Sequence, residues 1–231
     1  MENMDALQLS ELFSGVEPAS LKEMLGCLGP RIAEYEKDAV ILASGARTAD
    51  FGVVLRGAVM IVQDDYWGNR NILSALAPGE LFAESFAARP DAPLNVSAIA
   101  DAPTAVMFLG LRRVLATCPT ACPHHRRIIE NLLAALATKN QRLNEKLTHI
   151  SQRGTRQKLL SYLSAEAQKK GTPIFEIPFN RQQLADYLSV DRSALSAELS
   201  KLRAEGLLDY HKSMFKILRF TLLSESAALW N

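Results

Sequence analysis

Between Asn180 and Leu207 the chain reads NRQQLADYLSVDRSALSAELSKLRAEGL, and its apolar positions fall into two short helical sets. Leu184, Ala185 and Leu188 share one face of a first helix, and Leu195, Leu199 and Leu202 repeat the pattern on a second. Ser189-Val190-Asp191 supplies a turn between them, with Asp191 or Ser189 placed to accept from the free N–H groups that open the second helix and Val190 plugging the angle. Small Ala185 permits close approach of the pair, and Gly206 suits a left-handed cap at its end. The pattern predicts a helix-turn-helix. A plain two-helix hairpin would show similar spacing. The strand-type runs IFEIPF before it and GLLDYHKSMFKIL after it favour a winged helix.

Upstream the texture changes twice. The first thirty residues read as helices, LSELFSGV and then a second that starts at Pro18 and includes LKEMLGCLG. From Arg31 to Leu111 come the short β-type segments RIAEYEK, AVILASG, FGVVLRGAVMIVQ, NRNILSALAPG and APTAVMFLG, broken by regular glycines, which predicts a sandwich or barrel. Asp64 to Asn69 reads as a hairpin tip. From His124 to Ile150 the pattern is one long helix. Ile129, Leu133, Leu136, Asn140, Leu143, Leu147 and Ile150 step by fours and threes, the seam of a two-stranded coiled coil in which Asn140 sets register and favours a homodimer. A helix packed on its own domain would look similar. Ser151-Gln152-Arg153-Gly154 reads as a hinge, and TRQKLLSYLSAEAQKKG as a further helix with Leu159, Leu160 and Leu163 inward.

The expected fold class is therefore α+β. A β-roll sensor domain of double-stranded β-helix type with N-terminal helices covers 1–123, and a dimerisation helix 124–150. A winged helix-turn-helix domain covers 151–220 and a tail 221–231. A chain of 231 residues is long enough for two such cores, and 48% hydrophobic with 22% charged residues is a globular composition. No apolar run reaches a membrane span and the N-terminus has no leader pattern, so a cytoplasmic location is expected. The formal net charge of +1 is unevenly spread. Twelve basic residues stand against seven acidic ones from Ser151 to Phe220, about +5 there and about −4 elsewhere, which suits a nucleic-acid-binding domain beside a more acidic one. Outward on the second helix, Arg192, Ser193 and Ser196 can hydrogen-bond to base edges or phosphates.

Enzyme chemistry finds little support. A cupin-type barrel needs metal-binding histidines inside it, yet His124, His125, His149 and His211 all follow the β segments. No nucleophile elbow, Walker loop or dinucleotide fingerprint occurs, so no catalytic role is expected. Cys118 and Cys122, followed by His124 and His125, are the weak candidates for a metal or redox site; their spacing, broken by Pro119 and Pro123, argues instead for small residues at a helix start. Three cysteines, the third being Cys27, do not suggest a disulfide framework.

The succession of β-roll, long helix, hinge and winged helix, with IPFNRQQLADYLSVDRSALSAELSKLRAEGLL, resembles the CRP/FNR family of bacterial transcription regulators from about Leu9 to Leu218. The resemblance implies a homodimer on a two-fold symmetric site in double-stranded DNA, RNA polymerase as a partner, and a β-roll that takes a signal. It places Arg192 where the family reads a guanine and Asn180, Arg181 and Gln182 at phosphate-contacting positions, with Asp191, Ser193, Ser196 and Lys201 on the same face. Ser193 and Ala197 replace a glutamate and a second arginine of the best-known member, so a different operator is expected. In the roll, Phe82, Ala83, Glu84, Ser85, Leu94 and Asn95 are the effector-pocket candidates. Ala83 stands for the family's glycine, and Leu94 and Asn95 fall at the Arg-Ser pair that neutralises a cyclic phosphate. Without that arginine a buried phosphate lacks its charge partner, and Arg89 could substitute only if the loop ran differently, so cyclic AMP is not expected. Cys27 alone cannot hold an iron-sulfur cluster, and neither a metal nor a haem ligand is assignable. The expected function is a regulator governed by an unidentified small-molecule or redox signal. The alternative is a protein-docking module without DNA binding.

Overall fold

The computed structural model describes residues 7–8, 10–116 and 123–218, the side chains of 123–125 excepted. Cys118, Cys122, the side chains of His124 and His125, and the tail from 221 lie outside the described residues. The chain divides into two compact units, Met1–Asn140 and Gln141–Asn231.

In the first unit a 3-10 turn, Glu11–Phe13, is capped by the Ser10 hydroxyl, and α1 (Pro18–Leu28) begins at a proline and ends on left-handed Gly29. Eight strands follow: β1 (Arg31–Tyr35), β2 (Val40–Leu42), β3 (Asp50–Arg56), β4 (Val59–Asp64), β5 (Arg70–Leu76), β6 (Leu81–Phe82), β7 (Ser97–Ala100) and β8 (Thr104–Gly110). They pair antiparallel in two sheets, β1-β8-β3-β6 and β2-β7-β4-β5, the predicted double-stranded roll. Alternation along the central strands divides the core. Phe51, Val53 and Leu55 of β3, with Met107 and Leu109 of β8, join a cluster with Leu12, Leu21, Met24 and Leu28. Val54, Val106 and Phe108 face the other way and cluster with Val59, Leu76, Ala98, Ala100 and Phe82. Gly52 lies on this second face, where a Cβ would sit 2.3 Å from the Phe82 ring.

Helices α2 (Glu84–Ala87) and α3 (Leu111–Leu115) and the strands β6 and β7 were not expected from the pattern. Elements of two to five residues, one of them the alanine-rich SAIA, carry too little periodicity to register. The β4–β5 hairpin tip is built as expected. The Asp65 carboxylate accepts from the Trp67 and Asn69 backbone N–H groups and the Asn69 side chain, leaving Tyr66 and Trp67 95% and 83% exposed.

Helix α4 (Pro123–Ile150) runs through the division between the units. Its Ile128, Leu132 and Ala135 are buried in the cluster around β3 and β8. Along the expected seam, Leu133, Leu143 and Leu147 are 62%, 52% and 58% exposed, and Asn140 is exposed; Ile129, Leu136 and Ile150 are half-buried.

The second unit contains α5 (Thr155–Lys170), β9 (Ile174–Glu176), α6 (Arg181–Leu188), α7 (Arg192–Ala204), β10 (Leu208–His211) and β11 (Met214–Ile217). Helix α5 packs on α7 and β9, and the strands form one antiparallel sheet, β10-β11-β9. Leu159 and Leu163 of α5 are buried as expected, while Leu160 is only half-buried and Tyr162 takes an inward position instead.

Two substitutions test the packing in the roll. Gly52→Ala must displace the buried Phe82 ring and is expected to cost about 1–3 kcal/mol of stability. Ala83 holds a left-handed backbone at φ 64, and Ala83→Gly is expected to gain about 1 kcal/mol by removing that strain. Urea unfolding of the two variants measures both.

Candidate nucleic-acid interface

The helix-turn-helix is closed at each joint by backbone geometry. Asn180 and Gln183 form a reciprocal capping box on α6, the Asn180 side-chain Oδ1 accepting from Gln183 N–H at 3.0 Å and Gln183 Oε1 from Asn180 N–H at 2.8 Å. At the other end Ser189 adopts φ 53 and Val190 N–H donates to the Ala185 carbonyl at 3.0 Å. Asp191 is the N-cap of α7, but its side chain makes no cap bond, contrary to the expectation that it or Ser189 would. Ser189 is committed to the left-handed turn, and α7 starts on backbone alone, with Leu195 N–H donating to the Asp191 carbonyl at 2.9 Å. Gly206, at φ 68, ends α7 as expected: its N–H donates to Arg203 and that of Leu207 to Leu202.

Leu195, Leu199 and Leu202 are completely buried, which turns Asp191, Arg192, Ser193, Ser196, Ala197, Ser200 and Lys201 to solvent. Among the described residues the Arg192 side chain has no hydrogen-bond or ion-pair partner, so its guanidinium fork is available. Lys201 lies 3.8 Å from Glu198, a loose surface pair, and Ser200 Oγ donates back to the Ser196 carbonyl. The three residues expected on phosphates all have structural work as well. Asn180 caps α6, Gln182 donates to Asp186 at 2.8 Å, and the Arg181 guanidinium lies 4.9 Å from the Tyr210 ring and 5.7 Å from that of Phe215. Burial against these rings lowers the Arg181 pKa from its ordinary value, with Tyr210 opposing. Sequence reasoning missed the neighbours of this corner. A cleft of about 810 Å³ beside Asn180 and Arg181 is lined also by Lys170, Glu176 and, on the β10–β11 turn, Lys212 and Ser213.

In the roll, the six effector-pocket candidates differ in exposure. Phe82 and Leu94 are buried, Ser85 and Asn95 exposed, and Ala83 half-buried. The Leu94 backbone is tied to the Gly45-Ala46 turn, donating to Ala46 and accepting from Gly45. Glu84 is buried, and its Oε1 accepts from Lys139 of α4 at 2.5 Å while Oε2 has no partner among the described residues. Lys139 also donates to the Leu81 carbonyl at 2.6 Å. Arg89 is exposed.

A Crp-like helix-turn-helix domain matches residues 157–226, and a cyclic nucleotide-binding domain matches residues 32–120. Together the two segments cover more than two thirds of the chain. The chain belongs to the CRP/FNR family. Solved structures agree in fold. CooA, as a variant protein from Carboxydothermus hydrogenoformans, is 16% identical with a TM-score of 0.70, over 98% of this chain and 95% of that one. CLP of Xanthomonas campestris, described as a c-di-GMP-responsive global regulator, is 15% identical with a TM-score of 0.67, over 88% of this chain and 100% of that one. FixK2 from Bradyrhizobium japonicum is 19% identical with a TM-score of 0.64, over 82% and 93%. No curated protein sequence matches the chain. As a CRP/FNR protein it is a transcription regulator with a DNA-binding helix-turn-helix and a cyclic-nucleotide-binding-like domain. No helix among its described residues is long and apolar enough to cross a membrane.

This CRP/FNR chain also buries two titratable groups where α4 meets α5 and α6. Lys146 is 4% exposed, its ammonium 4.8 Å from the Tyr187 ring, and His149 is 5% exposed with Nδ1 2.8 Å from Ser161 Oγ and its ring edge-on to Tyr162. Burial pushes Lys146 down to about 8 and lowers His149, which Glu145 partly opposes. Both groups lose protons more readily when folded, so the unfolded chain binds more protons and stability rises with pH in each window. For Lys146 that window runs upward from about 8 towards its ordinary 10.5, and for His149 it lies at and below 6.5. Urea unfolding at pH values from roughly 5 to 9.5, short of where buried tyrosines begin to titrate, is expected to show both limbs. Lys146→Met flattens the upper limb and His149→Gln the lower one.

Proposed function

We propose that this regulator acts as a homodimer that reads a two-fold symmetric DNA site through α7, under a signal received by the roll. The observation that carries the reading is the face of α7 itself: three buried leucines fix one side, and the side that remains outward holds an unpaired Arg192 beside hydroxyl groups at Ser193 and Ser196. An arginine fork matches the two acceptors of a guanine edge in the major groove, and serines adapt to either base. Lys201, and Asn180, Arg181 and Gln182 at the start of α6, are assigned to phosphates. Their charge and hydrogen bonds position the duplex without selecting its sequence. Dimerisation is assigned to the exposed stripe of α4, where Leu133, Leu143 and Leu147 with Asn140 leave a heptad seam uncovered. RNA polymerase is the expected protein partner of the dimer.

Cyclic AMP is a poor fit for the roll. Leu94 and Asn95 supply no cation for a phosphate, Phe82 fills the space over Gly52, and the Glu84 carboxylate is held by Lys139. The signal is a small molecule or redox change of other chemistry.

Selection of bound duplexes from a random library is expected to return a palindrome with half-sites about one helical turn apart. Arg192→Ala is expected to cost about 1–3 kcal/mol on that site and to relax one base pair per half-site. An unchanged preferred sequence would displace α7 as the reading helix, and failure to enrich any sequence at low salt would favour a protein-docking module. In sedimentation at micromolar concentration the wild-type chain is expected to be a dimer and the Leu143→Glu/Leu147→Glu variant a monomer.

A further inference from the structure

The apolar face of α7 sets how deeply the helix sits but only loosely how it is rotated, because burial of leucine is non-directional. Directional contacts come from α5. Arg156 Nη1 donates to Glu198 Oε1 at 3.1 Å and to Glu205 Oε1 at 2.9 Å, and Nη2 donates to the other oxygen of Glu205. Glu198 and Glu205 are seven residues apart and so lie on one side of α7. Two positions beyond Arg156, Lys158 Nζ donates to the Leu188 carbonyl at 3.3 Å and the Ser189 carbonyl at 3.2 Å, the last groups of α6 and its turn. The Arg156 and Glu198 side chains are only 33% and 15% exposed, so the fork is partly shielded from water and salt. Arg156 also holds the Glu205 carboxyl below its ordinary range, which keeps the fork charged on both sides at neutral pH.

We propose that Arg156 and Lys158 are positioning residues for DNA reading: one helix, α5, grips both members of the helix-turn-helix and fixes the rotation at which α7 presents Arg192. This rests on the DNA-reading role of α7 proposed above. It follows that α5, α6 and α7 move as one body when the segment Ser151 to Gly154 flexes, and that sequence discrimination is set partly by residues that touch no nucleotide.

The test uses the full-length protein, with anisotropy titrations of the selected operator and of a random duplex of equal length. Arg156→Lys keeps the charge but loses the fork, and Arg156→Met/Glu205→Gln removes the pair without altering net charge. Each is expected to lower the ratio of operator to random-duplex affinity by about tenfold, with random-duplex affinity and salt slope within about twofold of wild type. Lys158→Met is expected to act likewise and Lys158→Arg to restore the ratio. Melting temperatures and circular dichroism confirm that each variant is folded, and any that is not is replaced by its charge-conserving counterpart. An unchanged ratio in both Arg156 variants, or equal losses on both duplexes, overturns the proposal. Wild-type protein that distinguishes no duplex overturns the DNA-reading role first, and the positioning role with it.

Discussion

One helix has to present two apolar stripes at once. Ile128, Leu132 and Ala135 of α4 are buried in the core of the roll, whereas Ile129, Leu133 and Leu136, each one residue later, begin a second stripe that continues through Asn140, Leu143 and Leu147 and is mostly outward. A shift of one residue rotates a side chain by about 100° on an α-helix, so neither stripe can be moved without moving the other. The rest of the chain depends on this arrangement. The first stripe gives the sheets a helix to pack on, and the last turns of the same helix bring Lys146 and His149 into the aromatic group of Tyr162, Phe179 and Tyr187.

The roll shows how small residues decide what a shared fold can hold. Gly52 and Ala83 bracket Phe82, the first by lacking the Cβ that would strike its ring and the second by turning the chain left-handed immediately after it. The aromatic side chain is then free to occupy the interior next to Phe108, 6.2 Å away between centroids. Glu84, next along the chain, faces Lys139 and has an ionic partner in α4. Phe82 and one oxygen of Glu84 are thus engaged in internal contacts, while Ser85 is exposed.

Much of this was legible in the residues. The helix-turn-helix could be read because it is encoded locally: leucines recur at helical steps and Gly206 ends the run, although the equally local Asn180–Gln183 capping box was not among the expectations. The doublets Ile128-Ile129 and Leu132-Leu133 also announce two faces on one helix, although only the outer stripe stands out by heptad spacing. What escaped notice joins distant parts of the chain. Nothing near Arg156 in sequence points to Glu205, nor near Glu84 to Lys139, because ion pairs across 49 or 55 residues leave no periodic trace. Arg181 was assigned from its position in the family resemblance, and only the strand pairing that brings up Tyr210 and Phe215 shows its guanidinium over their rings. The pocket candidates were grouped by their positions in the family resemblance, which does not show that Phe82 and Glu84 are buried on either side of the left-handed Ala83 while Ser85 is exposed.

The hairpin tip at Asp65 has a consequence for spectroscopy. The chain has two tryptophans, and Trp67 stands in solvent on a turn whose backbone is pinned by a single carboxylate. Its indole already has the polar surroundings that unfolding would give it, so its emission is a poor gauge of whether the roll is intact. The same exposure makes it a sensitive beacon: any surface that closes over the tip would dehydrate the ring and shift its light to the blue.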